Sequence, residues 1–339
     1  MSSFDPDAAA APGSGIFGLT HARGEATAVL VPVPFDATTS YRRGTAAGPA
    51  AILEASRQVD LFDLQTGRPY ARGIHMLESD SAIAAGNDRC AALAAPIIAK
   101  GGADAGDAAA LAAIESAMKD MNQRIQSTVA GILDEGKLPG VVGGDHSVPL
   151  GAIAAAGARY PSLGVLHVDA HADLRVAFEG FRYSHASIMD NVLREVPAVT
   201  KLVQIGVRDF GEQELRAIEA NAGRVVTHFD LHWQRRLAEG ERLVELIDFA
   251  LAPLPEDVWI SFDIDGLDPS LCRSTGTPVP GGLSFSAACL LLARLVESGR
   301  RIVGFDLDEV APGPDGDSWD ANVGARLLYK LIGFGLLTR

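Results

Sequence analysis

The sequence predicts an α/β fold built on a parallel sheet, and three observations carry that expectation. Short apolar runs rich in Val and Ile recur along the chain and end in Gly, Asp or Pro. Between them lie stretches whose apolar residues are spaced by three or four, the period of a helix with one buried face. Acidic and histidine residues gather just beyond the ends of the runs, where parallel α/β sheets bind their ligands.

Residues 1–15 are acidic and rich in Pro, Gly and Ala. They predict a loose arm and lack the basic start and apolar run of a secretion signal. The first strand is expected at 28–33. Residues 80–108, rich in Ala and Gly, read as a peripheral connection. A long helix is predicted over 107–135, where Leu111, Ile114, Met118, Met121, Ile125, Val129 and Ile132 form one stripe and Gly136 supplies the stop. Strands follow at 140–142, 164–168 and 201–207, then a helix at 211–221. A strand at 224–228, a helix at 240–252 and a strand at 258–262 come next. The Gly281-Gly282 turn leads into a helix at 286–298, with Ser284 or Ser286 as its cap. The last strand is expected at 302–305. Most of these runs are apolar throughout rather than alternating, so both sheet faces are covered by helices. No fixed-period repeat is present. Residues 16–339 read as a single α/β domain.

Composition narrows the function. The chain of 339 residues is 47% hydrophobic but only 6% aromatic, so the core is built from Ala, Val, Leu and Ile. Its formal net charge of -14 repels phosphate backbones and argues against nucleic acid as a partner, while it attracts small cations. Cys90, Cys272 and Cys289 have no CxxC spacing, which fits inert thiols in a reducing compartment. No window reaches the roughly 20 apolar residues of a membrane span. A cytoplasmic protein is expected.

Three segments carry the chemistry. In Gly143-Gly144-Asp145-His146-Ser147 a strand enters a glycine turn and then a histidine. In Asp169-Ala170-His171-Ala172-Asp173 the polar residues alternate with alanines after an apolar lead-in. Continued strand geometry would aim all three polar side chains one way. In Asp263-Ile264-Asp265-Gly266-Leu267-Asp268-Pro269 two carboxylates again sit two apart at the end of an apolar run. Buried like charges are costly unless a cation compensates them. Asp169, Asp173, Asp263 and Asp265 bring four negative charges, which two divalent ions balance, and His146 and His171 complete the donor set.

Together these segments resemble the ureohydrolase family, which contains arginase and agmatinase, over about residues 28–335. Tyr41-Arg42-Arg43-Gly44-Thr45, Gly48-Pro49 and Gly276-Thr277-Pro278 through Gly281-Gly282-Leu283 add to the likeness. The resemblance implies a three-layer α/β/α sandwich with a parallel sheet of about eight strands. It implies two divalent ions per chain, Mn in most members and Ni in some. His146, Asp169, Asp173 and Asp263 would serve one ion, and Asp169, His171, Asp263 and Asp265 the other. It further implies hydrolysis of a small cationic guanidino substrate to urea and an amine. Glu309 would hold the guanidinium over the ions, and His185 would protonate the departing nitrogen, as an ordinary imidazole near pH 6.5 allows. Assembly as a homo-oligomer, trimer or hexamer, is implied, with a hetero-oligomer as the alternative.

The chain departs from the family pattern in places. Ala186 follows His185 where Gly is usual, and Val279-Pro280 stands where agmatinases and guanidino-acid hydrolases often have Glu. The loop after the second motif lacks the Asn and Ser with which arginases grip an amino acid. It offers Arg175, Phe178, Phe181 and Arg182 instead as substrate-binding candidates. Agmatinase-like activity is therefore the expected label. An arginine in this loop suits a guanidino acid. Phe178, Phe181 and Trp319 would wall a pocket for guanidine, an alkylated guanidine or a biguanide. The alternatives are a formimidoylglutamase-type hydrolase releasing formamide and a non-catalytic partner subunit.

Overall fold

The structure, a computed structural model, describes residues 5–339. The arm expected at 1–15 thus lies partly outside the described residues. From residue 5 onward it runs as turns until Ser14, whose carbonyl accepts bonds from the Arg57 guanidinium at 2.8 and 3.1 Å.

One sheet of eight parallel strands forms the middle layer: β1 Ala28–Pro32, β2 Ile74–Met76, β3 Leu138–Val142, β4 Leu163–Val168, β5 Val199–Val207, β6 Val225–Phe229, β7 Asp257–Asp263 and β8 Arg301–Asp308. Their order is β2-β1-β3-β8-β7-β4-β5-β6. All seven runs expected from the sequence are strands. The eighth, β2, is a three-residue edge strand beside β1, too short to show a period.

Helices cover both faces, as parallel crossovers require. One layer holds α1 Gly48–Ser56, with further helices from the second half of the chain. The other holds α2 Ser81–Ala99, α3 Ala108–Asp134, α4 Leu150–Arg159, α5 Ile188–Glu195 and α6 Glu212–Ala220. α7 Asp230–Ala238, α8 Leu243–Leu251, α9 Phe285–Glu297 and α10 Trp319–Leu337 complete the first layer. Strand residues alternate between two cores: Ala28 and Leu30 enter one, Val29 and Val31 the other.

The long stripe on α3 is buried from Ile114 to Ile132 as predicted, and Gly136 ends it at φ 72°. Ser284 is the cap of α9, its Oγ accepting from the Ala287 N–H at 3.1 Å. The connection expected at 80–108 is a correction. Its first part is the 19-residue α2, with Ile83, Asn87, Cys90, Ala94 and Ile97 on the buried side. Ala is the best helix former, but its small side chain marks an apolar stripe weakly, and Gly86 and Pro96 interrupt the pattern. All three cysteines are buried and free.

The strand order also creates the site. β3 and β4 follow each other in the chain but stand apart, with β8 and β7 inserted between them. The carboxyl ends of these four strands therefore face one crevice, and each of the acidic motifs follows one of them.

Candidate metal centre

His146 comes from the turn after β3. Two contacts hold that turn: the Asp145 N–H donates to the Phe35 carbonyl at 2.8 Å, and the Glu309 N–H donates to the Gly144 carbonyl at 2.8 Å. A Cβ on Gly144 would stand 1.9 Å from the Phe35 oxygen, so only glycine allows the approach. The His146 ring is buried, and its Nδ1 faces three carboxylates. Asp169 Oδ2 is 3.0 Å away, Asp263 Oδ2 3.3 Å and Asp173 Oδ2 3.4 Å.

Residues 169–173 do not continue the strand. β4 stops at Val168, and Asp173 sits in the left-handed region at φ 54°. The segment is instead a pinned loop. The Ala170 carbonyl accepts from the Arg208 and Asp209 N–H groups at 2.7 and 3.0 Å, and the Asp173 carbonyl accepts from the Met189 N–H at 3.0 Å. Asp169, His171 and Asp173 still converge, through loop geometry rather than pleat. His171 Nδ1 lies 3.3 Å from Asp169 Oδ1 and 3.2 Å from Asp265 Oδ2. Asp263 closes β7, and its Oδ1 accepts the Asp265 N–H at 2.8 Å. Asp265 Oδ1 accepts from the Ala170 N–H at 3.0 Å, while its buried Oδ2 has no hydrogen-bond partner.

All six expected ligand residues thus fall into one nest, with Asp169 between the two histidines. Burial and mutual repulsion push the carboxyls of Asp173 and Asp263 well above the ordinary carboxylate range. Burial opposes charge on His146 and His171, yet the surrounding aspartates hold both imidazoles well above 6.5. Such a set of buried acids draws positive charge, and oxygen plus imidazole donors fit divalent transition ions. The residues present therefore fit a metal centre.

Glu309 follows β8 in a left-handed conformation, φ 61°. One oxygen accepts the His146 N–H at 2.9 Å, and Oε2 is buried without a hydrogen bond, which makes it the freer of the two for a ligand. His185 opens a short helical turn beside the nest. Desolvation, together with the cationic neighbours His171 and His146, pushes its ring down to about 4, below the ordinary value expected from the sequence. Its Nε2 lies 3.4 Å from Ser40 Oγ.

A cavity of about 190 Å³ opens against His171, Asp173 and His185, with Ser40 and Thr277 on its rim. Two of the four loop candidates line it. The Arg175 guanidinium lies 4.6 Å over the Phe178 ring, with its Nε 3.4 Å from buried Glu214. Phe181 is instead buried in the core between sheet and helices, and Arg182 pairs with Glu195 at 3.1 Å away from the cavity. Trp319 is exposed and donates to the Ser270 carbonyl at 2.9 Å. A larger hollow of about 520 Å³ between residues 13–21 and β2 contains none of the three motifs.

Several residues at the site went unread in the sequence. Asp306 and Asp308 on β8 are fully buried, with Asp308 Oδ2 3.8 Å from His146 Nε2. Their i, i+2 spacing matches that of Asp263 and Asp265, and that was the available signal. Arg208 ties the carbonyls of Gly206, Asp265, Leu267 and Val279 together, a role no local pattern announces.

Comparison with known proteins identifies the family and the fold. The model of the Arginase family matches residues 26–333. The chain is 31% identical to an N(1)-aminopropylagmatine ureohydrolase of Synechocystis sp., over 91% of this chain and 89% of the relative. It is 30% identical to a guanidinobutyrase of Pseudomonas aeruginosa, over 90% and 85% of the two chains. Among solved structures, the proclavaminate amidino hydrolase from Streptomyces clavuligerus shares the fold at TM-score 0.73 and 24% identity, covering 98% of this chain and 100% of that one.

Proposed function

The chain belongs to the arginase family and is a hydrolase of C–N bonds in linear amidines, and from that premise we propose an agmatinase-like enzyme with two divalent ions, Mn or Ni. One observation carries the reading: a single buried imidazole nitrogen, His146 Nδ1, stands 3.0 to 3.4 Å from carboxylates of two separate motifs. Among the described residues no Lys or Arg ion pair reaches Asp169, Asp173, Asp263 or Asp265, whose ion-pair partners are His146, His167 and His171.

In this reading His146, Asp169, Asp173 and Asp263 would hold one ion, and Asp169, His171, Asp263 and Asp265 would hold the other. Bound there, two such ions supply the Lewis acidity that activates water toward an electrophilic carbon. Glu309 Oε2, the free and buried oxygen, accepts from the guanidinium and orients it. A charge-assisted bond of this kind is stronger than a neutral one. His185 lies on the cavity wall as a neutral ring. Its unprotonated nitrogen can accept a proton from the attacking water, and the imidazolium so formed gives that proton to the departing amine. Arg175, held by Glu214 over Phe178, narrows the entrance. Residues 16–339 act as one catalytic unit.

The relatives' activities, on aminopropylagmatine, agmatine and guanidinobutyrate, frame the substrate class. The test is a panel of those compounds with arginine and guanidine, assayed for urea after loading with Mn or Ni. Ion content is measured alongside. Close to two ions per chain and urea from at least one compound are expected, with both lost in Asp263→Asn. A fully loaded chain that releases urea from none of them would sink the reading.

A further inference from the structure

Beneath the metal nest, five polar side chains stand side by side across the sheet. Thr227 on β6 pairs in register with Gln204 on β5, and Gln204 pairs with His167 on β4. His167 pairs with Ser261 on β7, and Ser261 with Asp306 on β8. His167, Gln204, Ser261 and Asp306 are fully buried. The neighbouring row on the same face, Val225, Leu202, Val165, Trp259 and Gly304, carries no polar side chain except the indole N–H. The fold therefore accepts an apolar row here. Polar groups so deep cost free energy unless every one is hydrogen-bonded.

They are bonded, and the directions can be deduced. The Ala172 carbonyl can only accept, so the atom of Gln204 that meets it at 2.7 Å is the amide nitrogen. The same nitrogen lies 3.0 Å from His167 Nδ1, which must then be unprotonated. The Gln204 oxygen accepts from Thr227 Oγ1 at 2.7 Å, consistent with this orientation. His167 therefore carries its proton on Nε2, where it donates to Asp169 Oδ2 at 2.9 Å. On the other side, Asp306 accepts from the Trp259 indole and from Ser261 Oγ, the latter at 2.7 Å. With its hydrogen committed to Asp306, Ser261 Oγ is left to accept from His146 Nε2 at 2.9 Å. That places a proton on His146 Nε2, so Nδ1, which faces the nest, is the nitrogen a neutral ring offers to an ion.

We propose that this row is a positioning device: Gln204 sets the tautomer of His167 and so aims Asp169, while Asp306 acts through Ser261 to aim His146. The inference rests on the reading that Asp169 and His146 hold divalent ions. None of the five lines the cavity of about 190 Å³, so they are positioning residues. Partners of this kind typically change metal affinity by about 10- to 100-fold when removed.

The decisive variant is Gln204→Glu, close to isosteric. Its carboxylate accepts where the amide donated, so the proton moves to His167 Nδ1 and a lone pair faces Asp169. Ser261→Ala is the second variant, a smaller change that removes the acceptor for His146. Ion affinity is measured by competition with a chelator, and ions per chain by elemental analysis. Circular dichroism reports folding, and ¹⁵N-histidine spectra report the tautomer. Both variants should fold and bind ions 10- to 100-fold more weakly. At saturating metal, KM should stay near the wild-type value. Wild-type affinity in both folded variants overturns the proposal alone. A wild-type chain that takes up no divalent ion overturns the metal reading, and this proposal with it.

Discussion

His185 and His228 show how burial, helped by nearby positive charge, changes what an imidazole can do. His185 is pushed down to about 4 at the cavity wall and is neutral near pH 7, able to pass a proton without holding one. Its replacement by Ala should lower kcat by roughly 10²-fold and leave ion content unchanged. Equal rates in the two proteins between pH 6 and 10 would remove its role. His228 lies far from the nest, among Trp233, Phe249 and Arg236. Burial, and secondarily the Arg236 charge, lower it from 6.5 to about 4. A group whose folded value is depressed contributes its full stability above the unfolded value. That contribution declines as pH falls from about 6.5 through 4 and amounts to roughly 3 kcal/mol at most. Denaturant titrations between pH 7 and 4 should show the decline, and His228→Phe should flatten it.

At the scale of elements, α2 is the instructive case. Its first turn depends on Asp80, whose Oδ1 accepts the Ala82 N–H at 2.8 Å and whose Oδ2 meets Arg124 of α3 at 3.1 Å. Asp80→Ala should cost about 1 kcal/mol through the lost cap, with the exposed ion pair adding little. The measurement is urea denaturation at neutral pH, and an unchanged midpoint would show that packing alone holds the helix end. Long amphipathic stretches such as α3 were legible because large apolar side chains mark every turn. α2 and α4 were not, because alanine and glycine let helices pack closely without a visible stripe. Strand β2 escaped for a different reason: three residues at a sheet edge owe their conformation to β1 beside them.

For the whole molecule, a nest that holds divalent ions would couple folding to ion binding. An ion bound by the native chain alone stabilises it by about 2.7 kcal/mol at a hundredfold excess over Kd. Exhaustive chelation should therefore lower Tm by roughly 5 °C or more and abolish turnover, and readdition of Mn or Ni should restore both. A melting temperature indifferent to chelator would contradict a metal-filled nest. Among the described residues no helix is long and apolar enough to cross a membrane.

The sequence by itself determined the fold class, seven of the eight strands and the six residues of the nest. These are written locally, as apolar runs with acids and histidines directly at their ends. Only the tertiary structure decided which oxygens remain free, that residues 169–173 form a loop, and that Phe181 and Arg182 turn away from the cavity. It alone set Thr227, Gln204, His167, Ser261 and Asp306 side by side. That row joins five strands far apart in the chain, and strand order and register, which no local pattern encodes, are what bring them together.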